Sequence, residues 1–259
     1  MSIASKVFIT GASSGIGVAL ASHYARRGFV LGLAARRHEI LSSLATDLSV
    51  AGAKDVLCYP LDVTDEIALC DAAKDFISRA GVPDIIIANA GVSSGTLTEC
   101  HEDLAAIRRI LEINVFGIAA TFSPFIPTMK QRGCGRLVGI ASVAGIRGLP
   151  GAEAYCASKA AVISYLESLR VEMRESGIKV VTIAPGYIET PMTAINPYTM
   201  PFMLKADEAA RRFARAIECG TSYTVIPWQM GVVAKILRLL PNWLYDWLLA
   251  KAPHKPKVF

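Results

Sequence analysis

Tyr155 and Lys159 stand four positions apart in the stretch AYCASKAAV, which otherwise reads as an ordinary Ala-rich helix. Positions i and i+4 share one helical face, so the phenol and the ammonium reach the same neighbourhood. Two readings are open: a surface contact, or an acid beside its tuning charge. A free phenol has a pKa of about 10, too high for easy proton exchange at neutral pH, and a nearby ammonium favours the phenolate. Ser142 lies thirteen positions before Tyr155, at the end of the apolar run VGIAS. Its hydroxyl is suited to donate a hydrogen bond to a carbonyl oxygen, which Tyr155 would then protonate. Asn114, in LEINVFG, is polar within an apolar helical stretch. Buried, it needs partners. They are backbone or water on a proton path to Lys159, or simply a structural helix–helix hydrogen bond.

Short β-rich apolar runs alternate with longer helical patterns. Strands are predicted near Lys6–Thr10, Phe29–Ala34, Val56–Leu61, Ile85–Ala88, Arg136–Ser142, Lys179–Ala184 and Tyr223–Ile226. Helices are predicted near Gly15–Arg27, His38–Val50, Asp65–Arg79, Glu102–Arg132, Glu153–Glu175 and Asp207–Glu218. Near-continuous Val, Ile and Leu mark strands buried on both faces. The alternation predicts an α/β fold: a doubly wound (Rossmann) parallel sheet of about seven strands flanked by helices, with a C-terminal helical extension. No repeat or long linker interrupts it, so one dinucleotide-binding domain is expected over 1–259. Ligands bind beyond the carboxyl ends of such strands.

The first strand ends in TGASSGIG. Gly11, Gly15 and Gly17 allow a tight turn and close approach of a pyrophosphate, with Ser13, Ser14 and Ile16 in the same turn. The helix N-terminus adds free N–H groups and a favourable dipole. The GxxxGxG spacing differs from the commoner GxGxxG, and a tight strand-to-helix connection is the plain alternative. The second strand ends LAARR. An NAD-selective site places an acid there for the ribose 2′-OH. Arg36 and Arg37 offer guanidinium instead, which pairs with phosphate, so NADP(H) is favoured, with Arg36 the nearer of the two. Asp62 and Val63, in LDVT, end the third strand. Asp62 would meet an adenine amine or cap the next helix. Asn89, Ala90 and Gly91 end the fourth, where small residues let a ribose lie against the backbone, or Asn89 steadies a turn. With the dinucleotide in place, its oxidised nicotinamide adds positive charge beside Tyr155, and Lys159 would hold the ribose as well as tune the phenol. Hydride transfer belongs to the cofactor; the protein supplies position and charge.

Apolar residues make up 53% of 259 residues, and the formal net charge is +5. The Lys and Arg residues are scattered, so no nucleic-acid stripe is expected. Six cysteines show no CxxC pair and no metal or disulfide spacing, which suits small thiols in a reducing, cytoplasmic compartment. The first residues carry no apolar signal core, and no uninterrupted apolar run is long enough to span a membrane. The tail over 228–252 is rich in Trp and Leu with interspersed Lys and Arg. It reads as a pair of packed helices broken at Pro241, or as a segment touching a membrane or partner.

The ordered set TGASSGIG, ANAG, Asn114, Ser142, YCASK and PGYIET (Pro185 to Thr190) resembles the short-chain dehydrogenase/reductase family, NADP-preferring type, closely over Lys6 to Thr190. The resemblance implies that Ser142, Tyr155 and Lys159 are the catalytic triad with Asn114 the fourth member, and that Pro185, Gly186, Ile188 and Thr190 border the nicotinamide. Many members close the last strand with a Gly-rich ending that packs in a tetramer. Here it reads YTVIPWQMG, so a homodimer through the helices carrying Asn114 and Tyr155 is expected instead.

Residues 190–206, rich in Pro, Met, Tyr and Phe, lie where a substrate lid should be, and GIRGLPG (Gly145 to Gly151) should face it. Met and aromatic side chains suit an adaptable apolar pocket. The expected substrate is an apolar ketone or secondary alcohol: acyl-, lipid- or steroid-like, or aromatic. Arg147 would meet an acidic group on it or face solvent. A cofactor-using epimerase and a non-catalytic NADP(H)-binding regulator are the rival readings. No metal site is expected.

Overall fold

The computed structural model describes residues 5–258. Seven parallel strands form one sheet in the order β3-β2-β1-β4-β5-β6-β7. They are β1 (Lys6–Thr10), β2 (Val30–Ala35), β3 (Asp55–Pro60), β4 (Ile85–Ala88), β5 (Gly135–Ile140), β6 (Ile178–Pro185) and β7 (Tyr223–Ile226). All six residues of β2 and all four of β4 are buried, as sequences without polar alternation require in a sheet covered on both faces. The chain winds outward from β1 to β3 and then returns to β4 beside β1, and this reversal of strand order opens a crevice at the carboxyl ends of β1 and β4.

Helices α1 (Gly15–Ala25), α2 (His38–Val50) and α9 (Ala206–Cys219) contribute to one face, where Leu20, Leu41 and Phe213 meet Ile9 and Leu33. On the other, α3 (Glu66–Ala80), α5 (Gly117–Phe122), α6 (Ile126–Arg132) and α7 (Glu153–Glu172) cover a second core, and α4 (Asp103–Leu111) packs beside α7. Phe8 is its hub, with ring centroids 5.6 Å from Phe76 and 5.0 Å from Phe125.

The helix predicted over Glu102–Arg132 is instead three helices. A π-helical turn, Glu112–Phe116, separates α4 from α5, and the chain restarts at α6 with Pro127 in its first turn. Proline has no N–H to continue the preceding helix but fits the start of a new one. Contrary to the sequence expectation, the segment Asp103–Arg132 is long and apolar enough in composition to cross a membrane. Half of its most apolar window is buried, which is how a core helix passes the same test.

The tail forms α10 (Trp228–Leu239) and α11 (Asn242–Leu249), broken at Pro241 as the sequence implies. Met230, Ala234 and Tyr245 are buried against the domain, while Trp228, Ile236, Leu239, Trp243 and Trp247 face outward. Beyond α11, residues 251–258 form an extended strap. It is laid on the loop between β4 and α4: Gly95 N–H donates to Pro256 O at 2.8 Å, Val258 N–H to Ser94 Oγ at 2.9 Å, and Lys257 Nζ lies 2.8 Å from Asp103 Oδ1.

Candidate active site

The turn between β1 and α1 is built by exclusion. Gly11 and Gly15 have φ of 66° and 53°, in the left-handed region that side chains disfavour. A Cβ on Gly17 would lie 2.2 Å from Gly11 O, and one on Gly11 would lie 2.7 Å from Ala90 Cα. The Asn89 amide donates to Thr10 O at 3.1 Å and Gly11 O at 3.2 Å, so its side chain fastens this turn to the end of β4. Ser14 precedes α1 in extended conformation, and its hydroxyl makes no cap bond.

One cleft runs along the carboxyl edge of the sheet. It is lined by Ser13, Ser14, Gly15 and Ile16 from the turn, by Arg36 and Arg37 after β2, and by Asp62 and Val63 after β3. Asn89, Ala90, Gly91, Pro185, Gly186, Ile188 and Thr190 complete it, with Ser142, Tyr155 and Lys159 at one end. Among the sequence-predicted residues, Gly17 and Asn114 lie behind the cleft wall.

Arg37 reaches back to the turn, donating to Ser13 O at 3.0 Å and Ser13 Oγ at 2.9 Å. Arg36 is largely exposed and 4.0 Å from Asp62 Oδ2. That carboxylate is held by another guanidinium, Arg109, at 2.7 Å. Arg109 sits on α4, far away in sequence, and no motif marked it. Asp62 does not cap α3: Asp65 does, accepting from Ala68 N–H at 3.0 Å. Asp62 Oδ1 instead accepts from Thr64 N–H and Oγ1. Burial alone would raise the Asp62 carboxyl; these bonds and Arg109 outweigh it and hold it below its ordinary value.

At the other end, Lys159 is 4% exposed and its Nζ donates to Ile140 O at 2.9 Å. Burial pulls its pKa down to about 8. Tyr155 is pushed up to about 12, chiefly by burial, with the Ser142 hydroxyl partly opposing. The sequence expectation that the nearby ammonium lowers the phenol's pKa is therefore corrected for the protein alone: desolvation outweighs it, with Lys159 Nζ 5.8 Å from the ring centre and bonded to Ile140. A neutral phenol is the proton-donating form.

Asn114 is fully buried in the π-helical turn. Its Oδ1 accepts from Val92 N–H at 2.8 Å, and its Nδ2 donates to Val92 O at 3.0 Å and Ser158 Oγ at 2.9 Å. The side chain thus locks α7 and the loop after β4 together. A Cβ on Gly91 would lie 3.2 Å from Asn114 Oδ1 and 3.5 Å from Lys159 Nζ, so the Asn and the Lys flank one glycine.

Arg147 neither faces solvent nor stands free for an acidic substrate. It donates to Leu237 O, Leu240 O and Asn242 Oδ1, and its guanidinium stacks 3.8 Å from the Tyr245 ring centre. A cation at the last carbonyls of α10 is the favourable polarity for a helix C-terminus. None of Gly145–Gly151 lines the cleft, so the facing wall expected from the sequence is corrected: the segment is a mount for the tail. The segment 190–206, which opens with the short helix α8 (Pro191–Ala194), is pinned at its base by Glu189 N–H to Leu204 O and Leu204 N–H to Tyr187 O, and its first residues, Thr190 to Thr193, line the cleft.

The short chain dehydrogenase family model matches residues 5–199. The chain is 40% identical to an uncharacterized oxidoreductase of Myxococcus xanthus, over 92% of this chain and 93% of that protein. It is 33% identical to 11-beta-hydroxysteroid dehydrogenase-like 2 of Arabidopsis thaliana, over 94% and 80%. Among solved structures, levodione reductase superposes with TM-score 0.79 at 27% identity, covering 88% of this chain and 98% of that one. The Thermococcus sibiricus alcohol dehydrogenase complexed with 5-hydroxy-NADP gives 0.75 at 26%, covering 86% and 95%. The Brucella melitensis 3-ketoacyl-(acyl-carrier-protein) reductase complexed with NADH gives 0.76 at 25%, covering 87% and 98%. Family model, relatives and superposed sheets agree with the cleft in one assignment: the chain belongs to the short-chain dehydrogenase/reductase family of oxidoreductases.

Proposed function

We propose that the protein interconverts a carbonyl and a secondary alcohol on an apolar substrate, using NADP(H). The observation that carries this reading is the layout of one cleft, with two guanidinium groups at one end and Ser142, Tyr155 and Lys159 at the other. The turn fits a dinucleotide: a Cβ at Gly17 or Gly11 would fill the backbone approach, and the Ser14 hydroxyl is uncommitted by the helix. Arg36 and Arg37 would hold the 2′-phosphate. Asp62 is already occupied by Arg109 and Thr64, which leaves Arg36 available to an incoming anion. The relatives do not choose the cofactor, since both NADP- and NADH-type complexes occur among them.

When bound, the nicotinamide supplies or accepts a hydride. Ser142 orients the carbonyl oxygen. Tyr155, held neutral, donates the proton in reduction and takes it back in oxidation. Lys159, fixed on Ile140 O, supplies positive charge beside the phenol and a donor for the ribose hydroxyls. Cys156, Leu149 and Tyr155 make an apolar cluster next to the site, which favours an apolar substrate body. NADPH oxidation in the presence of aryl and alkyl ketones tests this; a redox-neutral product with no net cofactor change would replace it with an epimerase.

Two associations accompany this reading. Exposed Leu104, Leu111 and Phe116 with Val171 on α7 supply an apolar face for a homodimer. The outward Trp and Leu stripe of α10 and α11, with exposed Lys235, Arg238 and Lys251 beside it, suits the surface of an anionic bilayer. Sedimentation with phosphatidylserine vesicles, lost on replacing Trp243 and Trp247 by Ser, supports that contact; no sedimentation of the unaltered protein refutes it.

A further inference from the structure

The strap runs beside the Tyr155 ring, and the chain has made room for it. A Cβ on Gly95 would lie 2.0 Å from Lys255 O, and one on Gly151 would lie 2.7 Å from the His254 ring. Gly95 belongs to the loop after β4, and Gly151 to the loop between Ser142 and Tyr155, so the strap bridges the two loops that flank the catalytic phenol. Asp103, 4% exposed, ties it down: one carboxylate oxygen takes Leu97 N–H at 2.8 Å, the other meets Lys257 at 2.8 Å.

Of the two strap lysines after His254, Lys257 is thus paired and Lys255 is not. Among the described residues Lys255 has no carboxylate within ion-pair distance and no side-chain hydrogen bond. It is half-buried, and its Nζ lies 5.5 Å from the centre of the Tyr155 ring. Burial draws its pKa down, as an ammonium removed from water without a counter-charge requires. Two hydroxyls of the loop beneath, Ser93 Oγ and Thr96 Oγ1, are buried without a partner. Polar groups left in this way are uncommon, and each hydroxyl is able to donate to an anion.

We propose that the strap completes the substrate site and that Lys255 receives a carboxylate carried by the substrate, a keto acid whose remaining body is apolar. This rests on the ketone-reductase reading and narrows it. The carboxylate is a spectator. The carbonyl carbon gains a hydride from NADPH and its oxygen gains the Tyr155 proton, giving a hydroxy acid and NADP+. An anion seated here neutralises Lys255 and positions the carbonyl at Ser142 and Tyr155 through a pair that is strong where water is scarce.

The test compares benzoylformate and 3-benzoylpropionate with their methyl esters and with acetophenone. The unaltered enzyme should reduce at least one acid with kcat/KM roughly 10-fold or more above its ester, the scale of one charge-assisted hydrogen bond. Lys255→Met should remove that ratio, and Lys255→Arg should retain it. Calorimetric binding of the matching hydroxy acid to the NADP+ complex should weaken in Lys255→Met by a similar factor. Esters reduced as well as acids, or an equal loss on both in Lys255→Met, would overturn the role of Lys255 while leaving the reductase reading intact. No reduction of any ketone would overturn the reductase reading itself, whereas retained, Lys255-dependent binding of the hydroxy acid would still support the anion site.

Discussion

The Lys159 ammonium donates to the Ile140 carbonyl at 2.9 Å and stands 5.8 Å from the centre of the Tyr155 ring. The last carbonyl of β5 therefore fixes the charge that serves the phenol on α7. Together with the packing of Leu166 on Gly139, this hydrogen bond sets helix against strand where Tyr155 and Lys159 stand.

A pH dependence follows from that burial. The Lys159 pKa falls from 10.5 to about 8, so its charge is lost as pH rises through about 8, well below the Tyr155 value of about 12. The kcat/KM for ketone reduction should decline above pH about 8, and Lys159→Arg, whose charge persists, should move that decline upward. For stability the sign is set by the unfolded chain holding more protons than the folded one between pH 8 and 10.5. Folding should therefore strengthen with rising pH across that window, and Lys159→Met should flatten this rise in urea unfolding curves.

Cofactor choice should reside in Arg36 and Arg37. Replacing both with Ala should weaken NADPH binding roughly 10-fold or more, with a much smaller effect on NADH, because only the former carries a 2′-phosphate for charge-assisted bonds. Quenching of protein fluorescence by each dinucleotide reads the difference. Equal losses would remove both guanidinium groups from the phosphate end.

Arg147 should matter to the tail. Its bonds to Leu240 O and Asn242 Oδ1 and its stacking on Tyr245 join α10 and α11 to the segment before α7. Arg147→Ala should lower the melting temperature and speed tryptic cleavage after Lys235 and Arg238 by loosening α10, since it leaves these helix-end carbonyls without their cation.

Much of this was legible in the residue order. Runs such as IIIA and VLGLAA read as strands sealed on both faces, and the glycine turn announced where the cleft begins. Asn114 was legible as needing partners, yet the choice between structural and catalytic service depended on Val92 and Ser158, which no local pattern identifies. Arg109 was missed and Arg147 was given the wrong partner for the same reason: each acts across the fold, on a carboxylate or a helix end far away in sequence. The strap was invisible because extended backbone without periodicity carries no signal; only the tertiary contacts of Gly95 and Gly151 reveal its seat.

The account depends on one proton leaving one hydroxyl. Tyr155→Phe keeps the ring, the packing and the cleft but removes the acid, so steady-state reduction of a ketone by NADPH should fall by roughly 10²- to 10⁴-fold while the dissociation constant for NADPH stays within a few-fold. Turnover in Tyr155→Phe equal to that of the unaltered enzyme would contradict the assignment.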